Sequence, residues 1–316
     1  MNLPLTPIRC LYRAVDLYGQ KEGLVSGGLR FTYEQFGERT ERLAAGLRAD
    51  GVRSRDRVAY LSFNTHQLLE GYFGVPLMGA IVMPLNVRLE AVELAAILNH
   101  AEPRMLLFES DFAPLVAPLR KACPTVKQFV AIDGPVAGAD LTLDELLAHG
   151  RMERPDLLEF DENEIAELFY TSGSTGTPKG VMLSHRTLFV HALLVGLAAA
   201  LRDDTVELHT IPLFHANGWG RPQLATMMGA KQVMIRRFEP AEVLRLMEEE
   251  RVTACSLVPV MANMLLNYPQ LGEFDTSTLQ EIHIGGAASS PELIARMEQA
   301  FHCRVIAGYG LTETAP

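Results

Sequence analysis

A chain of 316 residues, 48% of them hydrophobic, can bury a large core and is longer than the roughly 100–200 residues usual for one domain. Its 28 Lys and Arg face 38 Asp and Glu, a formal net charge of −10, and that field repels polyanions, which argues against nucleic acid as a partner. The cysteines Cys10, Cys123, Cys255 and Cys303 lack C-x-x-C spacing, against a zinc site or disulfide framework and for reduced core thiols in the cytoplasm.

Strand and helix patterns alternate almost throughout, which predicts an α/β fold with largely parallel sheets. Residues 1–20 show no basic start, apolar stretch and small-residue cleavage site, so no signal peptide is expected. Thr32 with Gln35 opens a helix whose Phe36, Leu43 and Leu47 share one face, and Gly51 stops it. A strand over 57–62, a helix over 66–78, a strand over 80–85 and a helix over 90–100 ending before Glu102-Pro103 follow. Strands over 104–110 and 127–132 continue the alternation. Between 133 and 163 the chain turns polar, with Gly134, Pro135, Gly138 and Pro155, which predicts a boundary between a first lobe, 1–160, and a second, 161–316. In the second lobe, strands are expected over 166–172, 206–213, 231–238, 254–259, 281–287 and 303–310. The apolar run from Leu188 to Leu201 is broken by His191 and is too short for a membrane span, so it reads as a buried helix.

Unusual residues cluster just past these strands, where open α/β sheets collect ligands. "YTSGSTGTPKGVMLSH" (170–185) joins three glycines to the hydroxyls of Thr171, Ser172, Ser174, Thr175 and Thr177 and the charge of Lys179. Glycines such as Gly173 and Gly176 let backbone N–H groups converge on oxygen anions, so the segment suits a polyphosphate. Lys179 follows Pro178 and precedes Gly180, so the Walker spacing fails and a P-loop kinase that would make ADP is disfavoured. A solvated Gly/Ser linker is the competing account. Ser184 is placed to cap the next helix.

This stretch resembles the phosphate-binding signature of the adenylate-forming superfamily: AMP-forming acyl-CoA synthetases, peptide-synthetase adenylation domains and beetle luciferases. "GYGLTETAP" (308–316) and "PLFHANGWG" (212–220) resemble two further signatures of the same family, in the same order. The resemblance implies stacked, mainly parallel sheets flanked by helices, as in the family's large N-terminal domain. It also implies ATP and Mg²⁺, coenzyme A as co-substrate, and a small carboxylic acid as partner. By that resemblance Tyr309 stacks on adenine between Gly308 and Gly310, Thr312 donates to the α-phosphate, and Thr171 and Glu313 serve the metal. Ala307 stands where many relatives carry a polar residue, so no side-chain contact is expected there. Gly285, Gly286 and Ala287 line the adenine or acyl-adenylate pocket, though tight packing of a strand end accounts for "GGA" equally well.

His215 sits where peptide-synthetase domains place an Asp for an amino group, which argues against an amino-acid substrate. A carboxylate nucleophile needs no base, so His215 is expected to line the pocket, a packed core histidine being the alternative. Trp219, the only tryptophan, matches a residue at the mouth of the acyl tunnel in bacterial fatty-acyl-CoA synthetases. Met227, Met228, Val258 and Met261 are wall candidates that ordinary core packing explains as well. Catalysis thus falls to Thr312, Glu313, His215 and Lys179, with His215, Trp219 and Gly286 at the acid. The resemblance implies attack of a fatty acid, or of an aryl or other small acid, on the α-phosphate of ATP, then transfer of the acyl group to CoA. The family's ribose-binding Asp, hinge and lysine-bearing C-terminal domain are not found here. The chain is therefore expected to be an N-terminal portion, nearly inactive by itself or a non-catalytic binding module. A homodimer stays open.

Overall fold

The computed structural model describes residues 3–171, 178–199 and 201–315. Local chemistry starts and stops the elements. Thr6 caps α1 (Pro7–Tyr18), and β1 (Glu22–Ser26) and β2 (Leu29–Thr32) form a hairpin that turns through Gly27 at φ +58°. Thr32 and Gln35 cap α2 (Tyr33–Ala49) reciprocally, a device worth about 1 kcal/mol. The alternation then runs β3 (Arg57–Leu61), α3 (His66–Leu77), β4 (Ile81–Pro84), α4 (Ala91–Ala101), β5 (Met105–Phe108), α5 (Ala113–Ala122), β6 (Gln128–Ala131), β7 (Leu141–Thr142) and α6 (Leu143–Leu147). Helix α4 stops where Glu102, at φ +47°, precedes Pro103, whose ring disfavours helical geometry in the residue before it.

The second half carries β8 (Ile165–Thr171), β9 (Lys179–Ser184), α7 (His185–Ala199), β10 (Val206–His209), a one-turn segment α8 (Ala216–Trp219), α9 (Arg221–Met228), β11 (Lys231–Met234), α10 (Pro240–Glu249), β12 (Ala254–Leu257), α11 (Pro259–Leu266), β13 (Glu281–Ile284), α12 (Pro291–Phe301) and β14 (Arg304–Ala307). Residues 179–184, the later part of the "YTSGSTGTPKGVMLSH" stretch, are a strand antiparallel to β8, with Thr171 opposite Lys179. Ser184 Oγ accepts from Thr187 N and opens α7. One face of α7 stays open: Leu193, Leu194 and Leu197 are 44%, 60% and 84% exposed, so the run expected to be a buried helix is buried on one side only, where it meets α9 and α1. Among the described residues no helix is long and apolar enough to cross a membrane. Cys10, Cys123 and Cys255 are buried, Cys303 is half-buried, and all are free thiols.

Two seven-stranded sheets result, in the orders β7-β6-β5-β3-β4-β8-β9 and β14-β13-β12-β10-β11-β1-β2. Strand pairs are parallel apart from the hairpins β1–β2 and β8–β9. The chain interleaves them: β1 and β2 complete the second sheet, whereas β8 and β9 complete the first, so residues on both sides of position 160 build each layer. Glycine-free, mostly apolar strands such as β5 and β12 are buried on both faces, as helix-covered parallel sheets require. In the second sheet Leu257 pairs with Ile284 and Ile284 with Ala307. The carboxyl ends of β12, β13 and β14 are therefore level, and the segments after them, Val258, Gly285–Ala287 and Gly308–Gly310, leave the sheet at the same end.

Candidate active site

Within the first signature Thr171 is half-buried at the end of β8 and Lys179 is exposed at the start of β9. Ser172, Gly173, Ser174, Thr175, Gly176 and Thr177 lie outside the described residues. The "GYGLTETAP" signature leaves β14 at Ala307, and its Tyr309 stands 87% exposed. Beyond it the chain bends back: Thr312–Thr314 form one 3₁₀ turn lying against β9. Thr314 Oγ1 ties that turn by accepting from Leu311 N at 3.2 Å. Thr312 is buried, Glu313 is exposed, and Ala315 enters the hydrophobic cluster that holds Leu183 of β9. Folding thus sets the Thr312–Thr314 turn on β9, the strand that begins at Lys179 and pairs with the end of β8 at Thr171. The Thr171 hydroxyl and Glu313 carboxylate are hard oxygen donors, a set that suits Mg²⁺ shared with phosphate oxygens.

Gly285, buried, and Gly286 and Ala287, exposed, follow β13. A β-carbon on Gly285 would lie 3.0 Å from Gly308 O and 3.3 Å from Trp219 Cη2, and one on Gly286 3.4 Å from Trp219 Cζ2. The indole of Trp219 therefore lies over the two glycines, and Gly286, at φ +74°, also needs glycine for its backbone. Val258 and Met261 share a cluster with Trp219, but Met227 and Met228 pack with Cys10, Ala192 and Leu224. These two methionines are corrected from pocket wall to core, because α9 turns them toward α1 and α7. His215 is exposed as a residue, yet its imidazole is held below the ordinary pKa, by burial of the ring first and then by the Arg88 charge.

The backbone carrying Trp219 is unusual. Ala216, Asn217, Gly218, Trp219 and Gly220 have φ of +44°, +53°, +56°, +61° and +68°, a full left-handed turn, closed by Gly218 N donating to His215 O at 3.1 Å and Gly220 N to Asn217 O at 3.1 Å. Each non-glycine residue there costs on the order of 1–2 kcal/mol. Sequence reasoning missed what braces it. Asn64 Nδ2 donates to His209 O and Ile211 O, both at 2.9 Å, while its Oδ1 accepts from Leu213 N at 2.7 Å. Tyr72 Oη donates to Leu213 O at 2.6 Å. Glu167 of β8 accepts from Asn217 Nδ2 at 3.0 Å and Gln223 Nε2 at 2.7 Å. Glu207 of β10 is bidentate to Arg221, at 2.8 and 2.5 Å. The only hint in the sequence is a glutamate inside each of two apolar strands, "AELFY" and "VELH".

Residues 11–316 match the model of the AMP-binding enzyme family, and with the fold and motifs above the chain belongs to that family. It is 41% identical over 313 residues to a long-chain-fatty-acid–CoA ligase of Thermus thermophilus, covering 97% of this chain and 57% of that protein. A peroxisomal butyrate–CoA ligase, AAE11, of Arabidopsis thaliana is 33% identical over 328 residues, covering 99% and 57%. Among solved structures, the inhibitor-bound N-terminal domain of FACL13 from Mycobacterium tuberculosis superposes with a TM-score of 0.88 at 26% identity, covering 98% of this chain and 77% of that one. The two sheets are thus those of the N-terminal domain of adenylate-forming enzymes, and the chain spans a little over half the length of the curated relatives.

Proposed function

We propose that this chain forms the nucleotide- and acid-binding portion of an AMP-forming acid–CoA ligase, with a medium- or long-chain fatty acid as substrate. The observation that supports the reading is the packing of the Thr312–Thr314 turn on β9, the strand that begins at Lys179, which favours one nucleotide shared by Lys179, Thr312 and Glu313. Lys179 supplies a positive charge beside the pyrophosphate that leaves, and Thr312 a hydroxyl donor to the α-phosphate; preorganised donors of this kind stabilise charge as it develops. The carboxylate attacks phosphorus and needs no base, so His215 lines the site rather than taking a proton. Bound Mg²⁺ would supply neutralisation of phosphate charge, held by Thr171 and Glu313. The exposed ring of Tyr309 offers a face for the adenine base.

The fatty-acid choice is supported by the Thermus relative. A small acid is the second reading, favoured by the Trp219 ring filling the space over Gly285 and Gly286 and by the butyrate-active relative. The test is to incubate the complete gene product with ATP and a panel from butyrate to palmitate plus benzoate. Acid-dependent release of AMP and pyrophosphate is expected, greatest with the longer alkyl acids; ADP as the product would refute the ligase reading.

A further inference from the structure

A run of left-handed residues does not hold itself in place, since only Gly218 and Gly220 favour that geometry without help. The strongest brace from the other sheet is Glu167. It is fully buried, and its two carboxyl oxygens take the amides of Asn217 and Gln223, one on each side of Trp219 in the chain. Among the described residues, Asn217 Oδ1 and Gln223 Oε1 are themselves buried without a partner. The trio therefore has a surplus of acceptors, which a protonated carboxyl relieves once one amide turns its oxygen inward. Burial pushes the Glu167 carboxyl up to about 8, against the smaller opposing effect of its two amide bonds, which fits the same protonation.

We propose that Glu167 is the positioning residue of the acid pocket: through Asn217 and Gln223 its side chain fixes the left-handed turn and so seats the Trp219 ring over Gly285 and Gly286. Calling that pocket the acid site rests on the ligase reading; the seating of Trp219 does not. A shape-filling strand residue would serve the sheet equally well, whereas seating the turn requires a group that hydrogen-bonds both amides. Glutamine can do this, donating to one and accepting from the other; leucine cannot.

Trp219 is the only tryptophan, so intrinsic fluorescence reports its surroundings without ligand or turnover. The variants Glu167→Gln, Glu167→Leu and Gln223→Met are compared with the parent chain, and circular dichroism checks that each is folded. Glu167→Gln is expected to keep the parent emission maximum and acrylamide quenching, while Glu167→Leu and Gln223→Met, which removes one amide without altering the backbone preference of the turn, shift emission to the red and are quenched more strongly. Parent-like emission in folded Glu167→Leu overturns the proposal, as does an equal red shift in Glu167→Gln. If the leucine variant does not fold, Gln223→Met decides: unchanged emission there overturns it. In the complete gene product, Glu167→Leu is expected to raise KM for the acid and leave KM for ATP in place; an equal rise in both overturns the positioning role. Absence of AMP formation with every carboxylate in the parent would instead refute the ligase reading and leave the fluorescence result standing.

Discussion

Two glutamates, one from each sheet, reach the same stretch between Asn217 and Gln223 and end in opposite states. Glu207 and Glu167 are both buried, at 1% and 0% exposure, so desolvation raises both. For Glu207 the Arg221 charge and its two hydrogen bonds outweigh burial and hold the carboxyl below its ordinary range. Glu167 meets only neutral amides, and its pKa rises to about 8. A neutral donor satisfies the geometry of a carboxylate but cannot offset the cost of burying its charge. The second sheet thus grips the start of α9 with an ion pair, whereas the first grips the left-handed turn with a network that holds a proton.

Removing the cation should break this contrast most severely. Arg221→Met leaves Glu207 buried and unpaired, and a loss of roughly 3–5 kcal/mol in urea unfolding is expected. The variant's stability should also fall as pH rises, as Glu207 comes to resemble Glu167. The next effect is the pH dependence from Glu167 itself. Its folded pKa, about 8, lies above the ordinary 4.5, so the folded chain keeps a proton that the unfolded chain releases between those values. The stabilisation is complete below about pH 4.5 and is lost as pH climbs through 8. Glu167→Gln carries no such proton, so its melting temperature should gain on the parent's from pH 5 to pH 8.5, by the equivalent of roughly 2–4 kcal/mol.

Gly220→Ala probes the turn between the two grips. Its φ is +68°, and a β-carbon would lie 2.2 Å from Cε1 and Nδ1 of His191, so a loss of roughly 1–3 kcal/mol is expected, together with a change in Trp219 emission. Asn217→Gly should have the smallest effect on stability, within about 1 kcal/mol, because it removes a hydrogen bond and left-handed strain at once. Its effect should appear in the fluorescence of Trp219 rather than in the melting curve.

Much of this was legible in the chain. The reciprocal Thr32/Gln35 cap, the helix stop before Pro103 and the parallel alternation follow from local chemistry, and each appears where expected. Some features were not legible. The expected strand over 206–213 ends at His209, because Asn64, far away in sequence, takes over the backbone groups of His209, Ile211 and Leu213. Met227 and Met228 carry no mark distinguishing tunnel from core; only the approach of α1 and α7 decides it. Glu167 and Glu207 read alike, as one acid within an apolar strand, and nothing local says that one meets Arg221 and the other Asn217.

By itself the sequence determined the class of protein, because a hydroxyl- and glycine-rich stretch, a lone tryptophan loop and a Gly-Tyr-Gly strand end are each contiguous, and contiguous chemistry survives without coordinates. The tertiary structure alone decided how those pieces meet: the turn after Tyr309 folding onto β9, the indole lying over two glycines, and a strand acid reaching the loop beside it. These contacts join residues distant along the chain, and burial together with partner charge, which set the protonation of Glu167 and Glu207, exists only once both sheets have closed on the segment between them.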